Sequence, residues 1–167
     1  MGVEIGAENK GQTATNIVVR KNYLYNNDKW GLAFGGYDVE YDLLFEFVQN
    51  KKNFIYFSRG RVTHSLFEAN QLEHNDVKHT GGGEISVSFA SDSTVQRNVI
   101  KPNEQNVILV VDQVGGLNNH FDHQVYYPNG KHSTAADLIF YWGNTECDGL
   151  QAFQKTTEQE MHATVLK

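Results

Sequence analysis

The stretch that decides the fold is NIVVRKNYLYNNDKWGLAFGG, Asn16 to Gly36, read beside RVTHSLFEANQLEHNDVKHTGGGEISVS, Arg61 to Ser88. Within them, KNYLYNND aligns with ANQLEHND, so Asn22, Leu24, Asn27 and Asp28 fall on Asn70, Leu72, Asn75 and Asp76. The writing returns in QRNVIKPNEQNVILVV, where Asn98 and Ile100 take the same places, and in HFDHQVYYPNG, where Gln124 and Tyr126 do. A fixed step of 24 residues would also set Glu46, Val48 and Asn50 against Asn22, Leu24 and Asn26, halving the distance between the first two copies.

Each unit holds runs of about four residues with period-two alternation, broken by Asn, Asp or Gly, a pattern of short strands and not of helices. A unit of that size cannot bury its apolar face alone, and stacking the units does so. The expected fold is all-β, a parallel β-helix (solenoid) of about four to five coils. Leucine-rich repeats share the period but need several leucines per unit at fixed spacing, whereas each unit here has one. An antiparallel sandwich also spaces its strands at similar intervals and is the competing fold. In stacked coils, a turn amide can hydrogen-bond its copy above and below. Asn22, Asn70 and Asn98 are the ladder candidates, while Asn26 and Asn75 read as turn asparagines tolerating the left-handed conformation.

The C-terminal segment changes character. In ECDGLQAFQKTTEQ, Leu150 and Phe153 are three apart, as on one face of a short helix. The coils are therefore expected over residues 1–127, with an irregular C-terminal cap containing a short helix over residues 128–167. Before Asn16 the chain is too brief for a cap, so it is expected to begin inside a longer solenoid and to self-associate through an uncapped coil end.

Composition narrows the partners. The 167 residues carry a net charge of −6 and no basic cluster, which argues against a nucleic-acid partner. No apolar run is long enough to span a membrane, and no signal peptide is visible. The single Cys147 rules out an internal disulfide.

The succession WGLAFGGYD, the HND copy closing on GGGEI, NNHFDHQVYY, FYWG and LQAFQKTTEQEMHA resembles the C-terminal half of bacterial right-handed parallel β-helix proteins. This pectate-lyase-like group includes secreted polysaccharide lyases and β-helix glycoside hydrolases. The resemblance runs from about Asn16 to Ala163 and implies a larger N-terminal portion, an extracellular or cell-surface location and a polysaccharide or oligosaccharide partner. One departure stands out: VEYDLLFEFVQNKKNFIYFSR, inside residues 39–59, intervenes where the pattern passes directly to the next coil, as either an extra coil or a loop.

Glycoside hydrolysis needs two carboxyl groups facing one sugar, about 5 Å apart for retention and roughly 6.5–9.5 Å apart for inversion. Asp38, ending GGYD, and Glu84, in GGGEI, are the candidate catalytic pair, because the resemblance implies an Asp/Glu pair and both follow glycine-rich turns. Trp30 and Tyr37 are candidates for an aromatic platform, and His74 and His79 in EHNDVKH for substrate contacts on the turn before Glu84. With Asp76 between them, those histidines could also serve a metal or a proton relay. In HFDH, His120 and Asp122 alternate onto one face beside His123, but two ligands fall short of the four of a closed structural site. No metal and no cofactor are assigned. The function expected is that of a carbohydrate-active β-helix, part of a glycoside hydrolase. The alternatives are a non-catalytic surface or carbohydrate-binding module, or a polysaccharide lyase fragment, although the scattered Arg20, Lys21, Arg61 and Arg97 form no cluster for lyase chemistry.

Overall fold

The computed structural model describes residues 1–7, 9, 11–36, 60–111 and 118–167. Four sheets organise the described residues. Sheet I contains β1 (Val3–Ala7), β5 (Leu32–Gly36), β9 (Ile85–Ser88), β13 (Val107–Val111), β16 (Ile139–Trp142) and β17 (Thr145–Asp148). Sheet II contains β2 (Gln12–Thr15), β6 (Gly60–Thr63) and β10 (Ala90–Ser91). Sheet III contains β3 (Val18–Arg20), β7 (Leu66–Glu68), β11 (Thr94–Gln96) and β14 (His120–Asp122). Sheet IV contains β4 (Tyr23–Tyr25), β8 (Gln71–Glu73), β12 (Val99–Lys101), β15 (Val125–Tyr126) and β18 (Thr164–Val165). The chain visits sheets II, III, IV and I in turn, and each return lays a strand parallel to the one before it. The exception is β17, which folds back antiparallel on β16.

Three-residue strands suffice because only the middle residue of each faces inward. Leu24, Leu72, Ile100 and Tyr126 form one row across sheet IV. Val19, Phe67, Val95 and Phe121 form another across sheet III. All eight are buried, and they belong to the core with Leu32, Phe34, Ile85, Val87 and Leu109 of sheet I. The expected parallel pairing of Leu24, Leu72 and Ile100 is thus present.

Between strands the chain turns on single residues of left-handed conformation. Lys21, Ala69, Arg97 and His123, with φ of 58, 52, 54 and 60°, occupy the corner from sheet III to sheet IV. Asn16, His64, Asp92 and Asn118 do the same from sheet II to sheet III. Asn and Asp suit this conformation, whereas Lys, Ala, Arg and His adopt it at a cost of about 1–2 kcal/mol each. The residue that follows each corner compensates by hydrogen-bonding the neighbouring pass.

The 24-residue step is not what the chain uses. Leu24 pairs directly with Leu72, so nothing intervenes between β4 and β8, and the offset of 48 is a single step. Glu46, Val48 and Asn50 lie outside the described residues, in a segment that leaves the end of β5 and rejoins at β6. The two flanking glycines are in close backbone approach: a Cβ on Gly36 would stand 1.9 Å from the Gly60 carbonyl oxygen. β5 and β6 thus meet at these two glycines, and no strand stands between β4 and β8 in sheet IV.

After Tyr126 the C-terminal residues are more regular than an irregular cap. They contribute β16 and β18 to the parallel stacks. Between these strands lies α1 (Leu150–Thr157), whose Leu150 and Phe153 are buried as their spacing predicts. The Phe153 ring stacks on Phe140, with centroids 4.5 Å apart.

The expected asparagine ladder is present and longer than its three members. Both the backbone N–H and the side-chain amide of Asn22 donate to Asn70 Oδ1, at 3.1 and 3.0 Å. Asn70 donates in the same way to Asn98 Oδ1, and Asn98 to Gln124 Oε1. The second amide hydrogen of each buried member goes to a strand carbonyl of the preceding pass: Val19 for Asn70, Phe67 for Asn98 and Val95 for Gln124. Asn26 is a left-handed turn residue as expected, but Asn75 is not: it is buried in a second ladder that begins at Asn27. Replacing Asn98 by Ala leaves the buried Asn70 donors without their acceptor, so Asn98→Ala should cost about 1–3 kcal/mol. Asn22→Ala, at the half-exposed start of the ladder, should cost less than about 1 kcal/mol. Urea unfolding of both variants checks the ordering, and equal losses would contradict it.

Candidate functional site

Asp38 and Tyr37, one half of the expected catalytic pair and one of the two expected platform aromatics, lie outside the described residues. Glu84 is placed closely. It has 0% exposure and precedes β9, where its carboxylate ends the second ladder. Asn27 donates to Asn75 Oδ1, Asn75 N donates to Glu84 Oε1 at 2.8 Å, and Asn75 Nδ2 donates to Glu84 Oε2 at 2.6 Å. Burial pushes the Glu84 pKa up to about 7, against the pull of the Asn75 hydrogen bonds and with help from the Asp76 and Glu73 charges. A value near neutrality suits a general acid, but a side chain with no exposed surface touches no sugar in this structure.

The other expected contacts separate. The Asp76 carboxylate is buried and accepts the backbone N–H groups of Thr80, Gly81, Gly82 and Gly83, so it shapes the TGGG loop. Burial would raise its pKa, but these bonds and the Thr80 hydroxyl together hold it lowered. His79 pairs with Glu104 at 2.8 Å, and His74 is exposed on its own left-handed corner. The trio therefore forms no common site. Trp30 is half-buried against Gly82, where an added Cβ would stand 2.8 Å from the indole, and Lys29 Nζ lies 5.3 Å from the ring centroid.

The outward side of sheet IV assembles a different set of residues. Tyr23 and Tyr25 are 54% and 55% exposed, and their rings stack at 4.8 Å with planes 16° apart. Strand register sets Tyr23 beside Gln71, and it sets Tyr25 beside Glu73 and Glu73 beside Lys101. Tyr127 follows Tyr126 next to that row, and Lys101 Nζ lies 5.5 Å from its ring. Glu73 Oε2 is the centre: the Tyr23 hydroxyl donates to it at 2.9 Å, Gln71 Nε2 donates at 3.1 Å, and Lys101 Nζ lies 3.7 Å away. Partial burial acts to raise the Glu73 pKa, but the two hydrogen bonds and the Lys101 charge outweigh it and leave a lowered, ionised carboxylate. The hydrogen bond to Glu73 in turn raises the Tyr23 phenol. The result is a ledge of aromatic faces, an amide, a carboxylate and an ammonium, spaced by the strand separation of about 4.8 Å. Sequence reasoning missed it by following the inward members of the alternation, although Tyr-Leu-Tyr at positions 23 to 25 already marked two aromatics on the outward side.

These features define an all-β protein of stacked parallel sheets, with amide ladders at its corners and an aromatic and polar outer ledge. No protein-family profile matches the chain, and no solved structure matches it. Among curated proteins it is similar to the uncharacterized protein YwoF of Bacillus subtilis (strain 168), at 26% identity over 164 residues. The match covers 98% of this chain and 30% of that protein, so the chain spans under a third of its relative's length.

The Glu84 geometry fixes a pH dependence. Its folded pKa of about 7 lies above the ordinary 4.5, so its stabilising contribution is complete below about pH 4.5 and is lost as the pH rises to about 7. With the side-chain geometry of Glu84 retained, Glu84→Gln puts an amide nitrogen where one oxygen accepts from Asn75, which should cost about 1–3 kcal/mol. The same variant should show a shallower fall in stability between these two pH values. Denaturant midpoints at both ends of that range test this, and an unchanged slope would contradict it.

Proposed function

We propose that this chain is part of a right-handed parallel β-helix protein of the pectate-lyase-like kind, and that it binds polysaccharide or oligosaccharide along the outer ledge of sheet IV. The observation that carries the reading is the exposed, stacked Tyr23–Tyr25 pair beside a carboxylate whose hydrogen bonds hold it in place. The C–H face of a pyranose is apolar and packs on an aromatic ring, while its hydroxyls need donors and acceptors at the rim. Tyrosine supplies large contact area at small entropic cost, and Glu73, Gln71 and Lys101 supply the rim. A protein of this kind would meet its glycan outside the cell or at the cell surface.

Hydrolysis is the second reading. It rests on Asp38 and on the near-neutral pKa of Glu84. A glycosidase needs both carboxyl groups at the sugar, and the Glu84 carboxyl is held by Asn75 in the interior. The ledge needs no such rearrangement, so binding is the better supported activity.

Removing one stacking face should weaken binding about tenfold, equivalent to about 1.4 kcal/mol. Tyr25→Ala and Tyr23→Ala should each do so, with little loss of stability because both side chains are exposed. Affinity electrophoresis against neutral and acidic polysaccharides, followed by calorimetry with the best oligosaccharide, measures the effect. Retention by no glycan, or equal affinity in the doubly substituted protein, would remove the proposal.

A further inference from the structure

The HFDH motif gains a partner that no local spacing reveals. Phe121 faces the core from β14, leaving His120 and Asp122 on the outward side, and the left-handed His123 follows. The C-terminal segment then brings His162 against them from 40 residues away. Asp122 is buried, and its Oδ1 accepts the backbone N–H groups of His123 and His162, both at 2.8 Å. Those two bonds fix the carboxylate and leave Oδ2 facing outward. Around that single atom stand three imidazoles: His162 Nδ1 at 2.6 Å, His123 Nε2 at 3.8 Å and His120 Nε2 at 4.0 Å.

One hydrogen bond, from His162, is enough to pin the C-terminal segment here. The other two imidazoles stand beyond hydrogen-bond reach of the oxygen they surround, and the His123 ring stacks on His162 at 4.9 Å. This surplus of nitrogen donors over what pinning requires suits a cation. One ligand atom each from Asp122, His123 and His162 lies within 4.8 Å of the others. Metal bonds of about 2.0–2.2 Å to nitrogen and oxygen place neighbouring ligand atoms about 3.3 Å apart. The histidine rings are on the exposed side and can close that gap by side-chain rotation.

We propose that Asp122, His123 and His162, with His120 as the adjoining fourth donor, form a site for a divalent first-row transition cation, with Zn2+ as the type case. The nitrogen-rich donor set favours such a metal over Ca2+ or Mg2+, which take oxygen ligands. The backbone bonds to Asp122 Oδ1 orient the liganding carboxylate from behind. The metal would clip the segment that carries β18 to β14, joining parts of the chain 40 residues apart. No sequence spacing indicates the site, because three of its four members lie in HFDH and the fourth lies beyond α1.

The test is calorimetric titration of the chelator-treated full chain with Zn2+, Mg2+ and Ca2+, with thermal unfolding in each. One equivalent of Zn2+ should bind and raise the midpoint, with no effect from Mg2+ or Ca2+. His123→Gln and His162→Gln should each weaken Zn2+ binding at least about tenfold. If His162→Gln loosens the C-terminal segment, His123→Gln decides alone, since its exposed ring follows β14 and takes no part in strand pairing. Zn2+ binding of unchanged strength in His123→Gln would overturn the proposal. So would Zn2+ spread over the other histidines without one-to-one stoichiometry, or a wild-type midpoint that Zn2+ leaves unmoved.

Discussion

Everything in this structure depends on satisfying the buried corners. A chain that turns sharply every few residues carries its backbone N–H groups into the interior, where an unpaired donor costs about 1–3 kcal/mol. Side-chain amides solve this with a directional device. Each oxygen accepts two N–H groups from the preceding pass, one from the backbone and one from the side chain, and each amide nitrogen passes the pattern on. Such a ladder can end on a carboxyl, whose two oxygens accept both N–H groups with no amide donor left to place.

The second ladder does so: it runs Asn27, Asn75, Glu84. The first runs Asn22, Asn70, Asn98, Gln124, beside the buried Glu160 carboxyl, whose pKa Tyr126 and Gln124 pull down against the push of burial. Burial pushes the Glu84 and Glu160 carboxyls to about 7 and about 8. Both therefore lose stabilising power as the pH rises from about 4.5, whereas Asp122, held down to about 2, loses its contribution only in strong acid. The elevated pKa of Glu84 would pass for the mark of a catalytic acid. Its neighbours assign it instead to closing a ladder.

A third series at the corner from sheet II to sheet III uses hydroxyls for the same purpose. Ile17 N donates to Ser65 Oγ, Ser65 N to Ser93 Oγ, and Ser93 N to Asn119 Oδ1. With the corners satisfied from within, the outward positions of the strands are free of structural duty. The Tyr23–Tyr25 ledge and His120 occupy such positions, on neighbouring sheets. The scaffold and the surfaces proposed to bind are thus written in alternate residues of the same strands.

The sequence by itself determined the repeat, the strand rows and the first ladder. Leu24, Leu72 and Ile100 recur with an Asn two residues ahead of each, and a side chain's inward or outward place on a short strand is settled by its immediate neighbours. It also determined the helical pair Leu150 and Phe153. What it left open were the relations between distant segments. Whether a strand stood between β4 and β8 was decided only by their direct pairing, because strand pairing satisfies backbone groups irrespective of the length of chain between them. Likewise Asn75 was indistinguishable from a turn asparagine until Glu84 stood nine residues on at hydrogen-bonding distance. His162 was one of seven histidines until the stacking of β18 on β15 carried its segment to Asp122. Periodicity reports which way a residue faces, whereas a site is a set of distances, and those are fixed only when the passes stack.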